Sequence, residues 1–162
     1  MENNEITKEI TNEIAFPVLL RHARGAYGMA IAKALAAVGF DDIPKNGHYV
    51  IGGLAVEEVE IPLSQLIKEL RTSKQAAGQL VDTLVLRGYL DRKADPNDRR
   101  KLSVTLTERG RAVAEVQRKA IREVDAELQK RVTPEEICHA RKVLHTLIQM
   151  NADHDHEAST QG

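Results

Sequence analysis

The sequence has few aromatic residues and almost no cysteine. Phe, Trp and Tyr make up 3% of the 162 residues, Trp is absent, and there is one Cys. A core without large rings must be built from Leu, Ile, Val and Ala, which suits packed helices better than a β-sandwich. One Cys cannot form a disulfide within the chain, and this composition is compatible with a reducing cytoplasm.

Long apolar runs and a signal peptide are also missing. No apolar run approaches the roughly 20 residues that span a bilayer. The first 13 residues are polar and acidic, with no basic segment before an apolar one. We therefore expect a soluble protein that stays in the cytoplasm.

The motifs of common catalytic sites are absent as well. We find no nucleophile elbow, no phosphate-binding Gly loop and no His/Cys set at metal-ligand spacing. His154 and His156 lie in a polar C-terminal stretch without a rigid element to fix a coordination geometry. The sequence thus predicts no enzyme, no cofactor and no metal.

Charge is unevenly distributed along the chain, although the net charge is only −1. Residues 1–13 hold four Glu and one Lys, and residues 151–162 hold three acidic residues and no Lys or Arg. Residues 71–101 hold eight Lys or Arg against four Asp, a local excess of +4. Such a basic segment favours a polyanionic partner.

A helix-turn-helix is predicted in this basic segment. A short helix over 63–70 is followed by Arg71 and Thr72 and then by a second helix that ends at Gly88. Thr72 and Gln75 have the spacing of a capping box at the start of the second helix. The elements expected before it are a helix over 6–38 softened at Pro17, a helix from Pro44 to about Leu54, and a strand over 56–61 ended by Pro62.

A β-hairpin is predicted directly after the helix-turn-helix. Residues 89–93 favour a strand, residues 94–98 a turn, and residues 101–106 a second strand with alternating apolar residues. The combination predicts a mainly α fold with a small β-hairpin wing (α+β), a winged helix-turn-helix.

Two further helices are predicted after the hairpin, one capped by Thr107 and the other by the TPEE sequence at 133–136. Their apolar stripes need cover, which a second subunit would supply across a two-fold interface. We expect a helical dimerisation region over 6–38 and 107–150, a DNA-binding lobe over 40–106, and disordered tails at 1–5 and 151–162. Cys138 is expected to be buried or half-buried.

Residues 63–110 resemble the DNA-binding core of the MarR family of bacterial regulators. The resemblance is carried by the LVxxLxxRGYLxR run at 80–92, the DPxDRR wing at 95–100 and the LTERG that opens the next helix at 106–110. It implies a homodimer that places two recognition helices in successive major grooves and two wings in adjacent minor grooves. By this resemblance Ser73, Lys74 and Gln75 begin the recognition helix, with Gln79 one turn on.

The resemblance also assigns the wing, where Asp98 orients Arg100 and Arg100 enters the minor groove. The sequence departs from the commonest pattern at 76–79, where Ala, Ala, Gly and Gln replace a Thr-x-Thr-Arg run. Contacts to DNA are therefore expected to differ from those of many members.

The physical roles of the candidate residues follow from the chemistry of DNA. Gln75 and Gln79 offer both a donor and an acceptor to a base edge, with adenine the best match. Lys74 suits phosphate or guanine, and Arg100 a narrow A·T-rich minor groove. Two-fold symmetry predicts an inverted repeat with half-site centres about 10 base pairs apart. The other candidate phosphate contacts are Arg87, Arg92, Lys93, Arg99 and Lys101.

A ligand site and a rival function complete the expectations. His22, Tyr27, His48 and Tyr49 lie on the first two helices, where the resemblance implies a cleft for small anionic or phenolic ligands. Bound ligand would change the spacing of the recognition helices and weaken DNA binding, as in a ligand-responsive repressor. The alternative is a protein-interaction module that keeps the winged fold without binding DNA.

Overall fold

The computed structural model describes residues 14–57, 61–70, 72–94 and 102–160, with side chains at 57, 69 and 151–160 not included. The chain divides into two compact units, Met1–Arg122 and Glu123–Gly162. The elements in chain order are α1 (Phe16–Ala37), α2 (Gly47–Glu57), β1 (Ile61–Pro62), α3 (Leu63–Glu69), α4 (Lys74–Leu86), β2 (Leu90–Ala94), β3 (Leu102–Leu106), α5 (Glu108–Gln129) and α6 (Pro134–Thr160).

The three strands form one antiparallel sheet in the order β1-β3-β2. Leu90 pairs with Leu106 and Ala94 with Leu102, so β2 and β3 are the two arms of the expected hairpin. Ile61 and Pro62 pair with Val104 and Ser103 on the other side of β3. The small sheet and the α3–α4 helix pair together form the winged helix predicted from the sequence.

The hydrophobic core of the first unit joins the winged helix to its flanking helices. Nearly all of its members are aliphatic, as the scarcity of rings requires. Tyr89 is the one aromatic residue among the fully buried members that the structure describes. The core includes Ile31 and Leu35 of α1, Ile51 and Leu54 of α2, Val81 and Leu84 of α4, Leu90, Val104, and Val113 and Ala114 of α5.

The start of α4 differs by one residue from the expected cap. Ser73, and not Thr72, is the N-cap, and its hydroxyl oxygen accepts a hydrogen bond from the Ala76 amide at 3.2 Å. The Thr72–Gln75 capping box is therefore wrong, because either residue type satisfies the local rule and the helix begins after Ser73. The Gln75 side chain consequently has no capping role.

The segment before α3 also differs from expectation. Pro17 does not soften a helix but lies in the first turn of α1, where its missing N–H costs nothing. The second helix begins at Gly47 and extends to Glu57, so Val56 is helical and not in a strand. Only the last residue of the expected strand over 56–61, Ile61, is found in a strand, β1. Pro62 is the second residue of β1 and so continues the strand instead of ending it. Helical backbone hydrogen bonding outweighed the β-branched pattern here.

The junction between α4, β2 and α5 explains two glycines of the motif. Gly88 has a φ of 73° directly after α4, a left-handed conformation that glycine adopts without strain. The Thr107 hydroxyl accepts a hydrogen bond from the Gly110 amide at 3.0 Å and caps α5 as expected. A Cβ on Gly110 would lie 2.2 Å from the Tyr89 carbonyl oxygen, so the helix packs against the strand only without a side chain there.

The second unit consists of the end of α5 and the whole of α6. The expected capping box is present, since Thr133 Oγ1 accepts from the Glu136 amide at 3.2 Å while the Glu136 carboxylate accepts from the Thr133 amide at 2.8 Å. These bonds from Thr133 lower the pKa of the Glu136 carboxyl.

Two expectations for α6 need correction. The helix extends to Thr160, so residues 151–160 are helical where a disordered tail was expected. Polar composition alone does not end a helix, and no Pro or Gly interrupts the sequence between Pro134 and Gly162. Cys138 is exposed and not buried, because no element of the described chain covers this part of α6. Residues 1–13 lie outside the described part, so the expected tail at 1–5 and the helix over 6–13 stay predictions. The expected continuous helix over 6–38 is wrong at residues 14 and 15, because α1 begins at Phe16.

Candidate nucleic-acid interface

The exposed ridge of α4 carries the residues expected to read DNA. Lys74, Gln75 and Gln79 are exposed, while Ala77, Val81 and Leu84 are buried on the opposite side of the helix. Because Gln79 follows Gln75 by one turn, the two amides lie next to each other along the ridge. Ala76 is also exposed, so a short side chain lies beside the glutamines.

The base of the wing is tied to α4 by an ion pair. Arg92 of β2 places its Nη2 atom 2.5 Å from the Asp82 Oδ1 atom of α4. Lys93, the next residue along, is exposed. The strand therefore carries one cation paired with the recognition helix and one exposed cation next to it in sequence.

The wing tip lies outside the described residues. Asp98, Arg99, Arg100 and Lys101 belong to the connection between Ala94 and Leu102, two residues that pair with each other across the hairpin. Their predicted roles at the minor groove stay predictions.

A polar cluster that the sequence did not reveal holds the junction of the winged helix together. The Tyr89 hydroxyl donates a hydrogen bond to the Asp42 carboxylate, and Arg109 Nη2 lies 3.0 Å from both the Asp42 Oδ1 and the Tyr89 hydroxyl oxygen. The Arg109 guanidinium also lies 4.6 Å from the centre of the Tyr89 ring, within the range of a cation–π contact. The cluster joins the α1–α2 loop, the start of β2 and the first turn of α5.

The cluster also shifts the pKa values of its members. The hydrogen bond from Tyr89, followed by the charge of Arg109, lowers the pKa of the Asp42 carboxyl. Burial and the hydrogen bond to Asp42 raise the pKa of the Tyr89 hydroxyl. Asp42 is ionised and Tyr89 neutral at neutral pH, which is the charge state that the cluster needs.

The candidate ligand residues are only partly brought together. The His48 and Tyr49 rings lie 3.9 Å apart, and Arg24 of α1 donates a hydrogen bond from Nε to the Tyr49 hydroxyl at 2.9 Å. His22 is exposed on α1 and Tyr27 is half-buried. Arg24 is a member of this cluster that sequence reasoning missed, because nothing in the local pattern distinguishes it from other exposed cations.

Two buried nitrogen atoms near α2 have no hydrogen-bond partner among the described residues, His48 Nε2 and Gln117 Nε2. Gly52 lies one turn after His48 on α2, and a Cβ at Gly52 would be 3.0 Å from Gln117 Oε1. Gln117 therefore packs against the side of α2 that carries Gly52. Burial, and secondarily the charge of Arg24, lowers the pKa of His48, which is therefore neutral at neutral pH.

A separate cavity of about 710 Å³ lies among α2, the sheet and α5. Its lining includes both charge signs, with Lys93, Arg111 and Arg118 among the cations and Asp91 and Glu115 among the anions. None of the four residues proposed for the ligand site from the sequence lines this cavity. Sequence periodicity cannot locate this cavity, because the cavity forms where α2, the sheet and α5 are not fully packed together.

The described residues lack two other kinds of site. No group of three or more His, Cys, Asp or Glu side chains among them could hold a metal ion. None of their helices has the length and apolar character of a membrane span.

Comparison with known proteins finds a family match over the helix-turn-helix and the first strand of the hairpin. Residues 48–101 match the model of the MarR family. No curated protein matches the sequence.

Solved structures extend the likeness of the MarR-like fold over most of the chain. Streptococcus pneumoniae FabT in complex with DNA is 23% identical, with 94% of this chain and 96% of that chain covered at a TM-score of 0.65. A cysteine-to-serine mutant of Escherichia coli MarR complexed with operator DNA is 23% identical, with 81% and 91% covered at a TM-score of 0.65. Wild-type E. coli MarR in its apo form is 24% identical, with 83% and 96% covered at a TM-score of 0.62.

Proposed function

We propose that this chain is a sequence-specific DNA-binding transcriptional regulator of the MarR family. It acts as a homodimer and is not an enzyme. The observation that carries the proposal is the exposed ridge of Lys74, Gln75 and Gln79 on the second helix of a winged helix. Two similar folds, FabT and MarR, are known in complexes with DNA. The function implies that the protein resides in the cytoplasm with the DNA that it binds.

The homodimer is supported by apolar side chains left exposed on the flanking helices. Apolar residues at helical spacing on α6 have no cover from the described chain, including Val143, Leu144, Leu147 and Ile148. Cover by a second copy would give the two-fold symmetry that an inverted-repeat site requires.

We further propose that DNA binding responds to a small anionic or phenolic ligand, as in a repressor released by its inducer. The unpartnered amide nitrogen of Gln117 and the neighbouring Arg24 offer hydrogen-bond donors to such a ligand, and the unpartnered His48 Nε2 donates or accepts according to its tautomer. The cavity bordered by β2, β3 and α5 is a second candidate, because a ligand there would contact the wing strands and the long helix at once. Aromatic carboxylates and phenols added to a preformed protein–DNA complex should release the DNA.

Fluorescence anisotropy on a random-sequence duplex of about 30 base pairs tests DNA binding directly. Each phosphate contact contributes a salt-dependence slope of about −0.9 in log K against log salt, so Lys74→Gln should reduce the slope by about two per dimer. Lys142→Gln on α6 is the matched control and should leave the slope unchanged. A wild-type protein that fails to bind at low salt would contradict the proposal.

The rival function, a protein-interaction module, draws on the small side chains of Ala76 and Gly78 beside the ridge. It expects partner binding that is insensitive to salt, because apolar contacts release no counterions. The polar character of Gln75 and Gln79 favours DNA.

A further inference from the structure

Arg92 lies on a different face of β2 from the neighbouring charged residues. Successive side chains of a strand point to opposite faces, so Arg92 shares the face of the buried Leu90. Asp91 and Lys93 point to the other face, where both line the cavity. Arg92 is thus directed toward α4 and not toward the cavity.

The Arg92 guanidinium is held by α4. Its Nη2 atom is 2.5 Å from Asp82 Oδ1, and the Arg92 side chain is 29% exposed against 65% for Asp82. The Nε atom is buried and has no hydrogen-bond partner among the described residues. A guanidinium in this position is already engaged and is less accessible than the acid it pairs with.

Asp82 occupies a critical position on the recognition helix. It follows Gln79 by three residues and Gln75 by seven, a spacing that places the three side chains along one ridge. All three are exposed. An unneutralised carboxylate on this ridge would face the phosphates of a bound duplex. Like charges juxtaposed across an interface weaken binding.

We propose that Arg92 is a positioning residue that acts on DNA through Asp82, neutralising and orienting a carboxylate on the DNA-facing ridge, and is not itself a phosphate contact. The inference rests on the proposed DNA-binding function and reassigns a residue that the sequence had grouped with the phosphate contacts. Exposed ion pairs contribute little to folding stability, so substitutions of either partner should leave the protein folded.

A rescue experiment separates this role from direct contact with DNA. Binding of the wild type, Arg92→Met, and Arg92→Met combined with Asp82→Asn is measured over a salt series on a duplex selected from random DNA by the wild-type protein. Arg92→Met combined with Asp91→Asn is the matched control, because it removes the same charge from a residue adjacent to Arg92 that lies on the other face of β2. Circular dichroism and urea unfolding check that each variant is folded.

We expect Arg92→Met to weaken binding by about tenfold or more, because the unpaired Asp82 carboxylate then opposes the phosphates. Adding Asp82→Asn should restore most of the affinity with the salt slope of the wild type, whereas adding Asp91→Asn should not. The inference is overturned if Asp82→Asn gives no more rescue than Asp91→Asn, or if the slope of the rescued variant stays lower by about two per dimer, as loss of a phosphate contact requires. Failure of the wild type to bind any duplex would overturn the proposed function and this inference together, whereas failure of the rescue alone leaves the function standing.

Discussion

The effect of replacing a residue in this chain depends on the space around it as well as on its chemistry. Two glycines illustrate this. Gly78 lies inside α4 with nothing within 4 Å of an added Cβ, while Gly110 lies inside α5 with the Tyr89 carbonyl oxygen 2.2 Å from one. The two positions look alike in the sequence, since each is a glycine within a helical pattern. Only the packed structure separates them.

The same substitution at these two glycines should therefore have opposite effects on stability. Gly78→Ala should raise the free energy of unfolding by about 0.5–1 kcal/mol, because alanine loses less backbone entropy in a helix. Gly110→Ala should lower it by about 1–3 kcal/mol or more, because the methyl group displaces β2 from α5. Urea unfolding of the two variants measures both changes, and a destabilised Gly78→Ala protein would contradict the packing described for α4.

The Asp42–Tyr89–Arg109 cluster makes stability depend on pH at the acidic end. The folded pKa of Asp42 lies below its ordinary value of 3.8, so the stabilisation is complete above that value and is lost as the pH falls through the folded pKa. Tyr89→Phe removes the largest cause of the lowering. This variant should be less stable at pH 7 and should lose less further stability on acidification than the wild type.

Unfolding free energies measured from pH 7 down to about pH 2.5 check this expectation. Arg109→Met should have a similar effect, because it removes the positive charge that also lowers the pKa of Asp42. Parallel pH profiles for the wild type and Tyr89→Phe would show that the cluster is not coupled to Asp42 ionisation.

At the scale of elements, the sequence predicted which helices and strands exist better than where they begin. The hairpin, the Thr107 cap and the Thr133–Glu136 capping box are confirmed, because each depends on a motif with one local solution. The start of α4 was wrong because Thr72 and Ser73 are both good caps. The Arg92–Asp82 pair and the cavity could not be predicted, since both depend on contacts between elements.

The corrected cap of α4 gives a direct test at this scale. Ser73→Ala should cost about 1 kcal/mol, because it leaves the Ala76 amide without its side-chain acceptor. Thr72→Ala, which removes a hydroxyl from the neighbouring residue, should change stability much less. Thermal and urea unfolding of the two variants measure the difference. A larger loss for Thr72→Ala than for Ser73→Ala would contradict the cap at Ser73.

At the scale of the whole molecule, function depends on two copies of α4 being presented together. The candidate dimer surface on α6 is apolar yet exposed, with Leu144 at 40% and Leu147 at 39%. Such a row of side chains is unfavourable in water for a lone subunit. The division into a dimerisation region and a DNA-binding lobe follows from this reasoning and stays a prediction.

Charges placed on this surface should therefore separate the subunits. Leu144→Glu combined with Leu147→Glu should convert the dimer to a monomer and weaken binding to an inverted-repeat duplex at least a hundredfold, because each half-site would then bind separately. Light scattering after gel filtration gives the mass, and Lys142→Glu on the same helix is the control that should stay dimeric. A wild-type protein that is already monomeric would contradict the proposed assembly.

Selection of bound sequences from a random DNA pool tests the central claim most directly, because it makes no assumption about the site. We predict enrichment of an inverted repeat with half-site centres about 10 base pairs apart. Substituting both Gln75 and Gln79 by Ala should abolish the preference within the half-sites while leaving weak, salt-sensitive binding to any duplex. A wild-type protein that enriches no sequence, or a double variant that selects the same repeat, would contradict the claim that the ridge of α4 reads DNA.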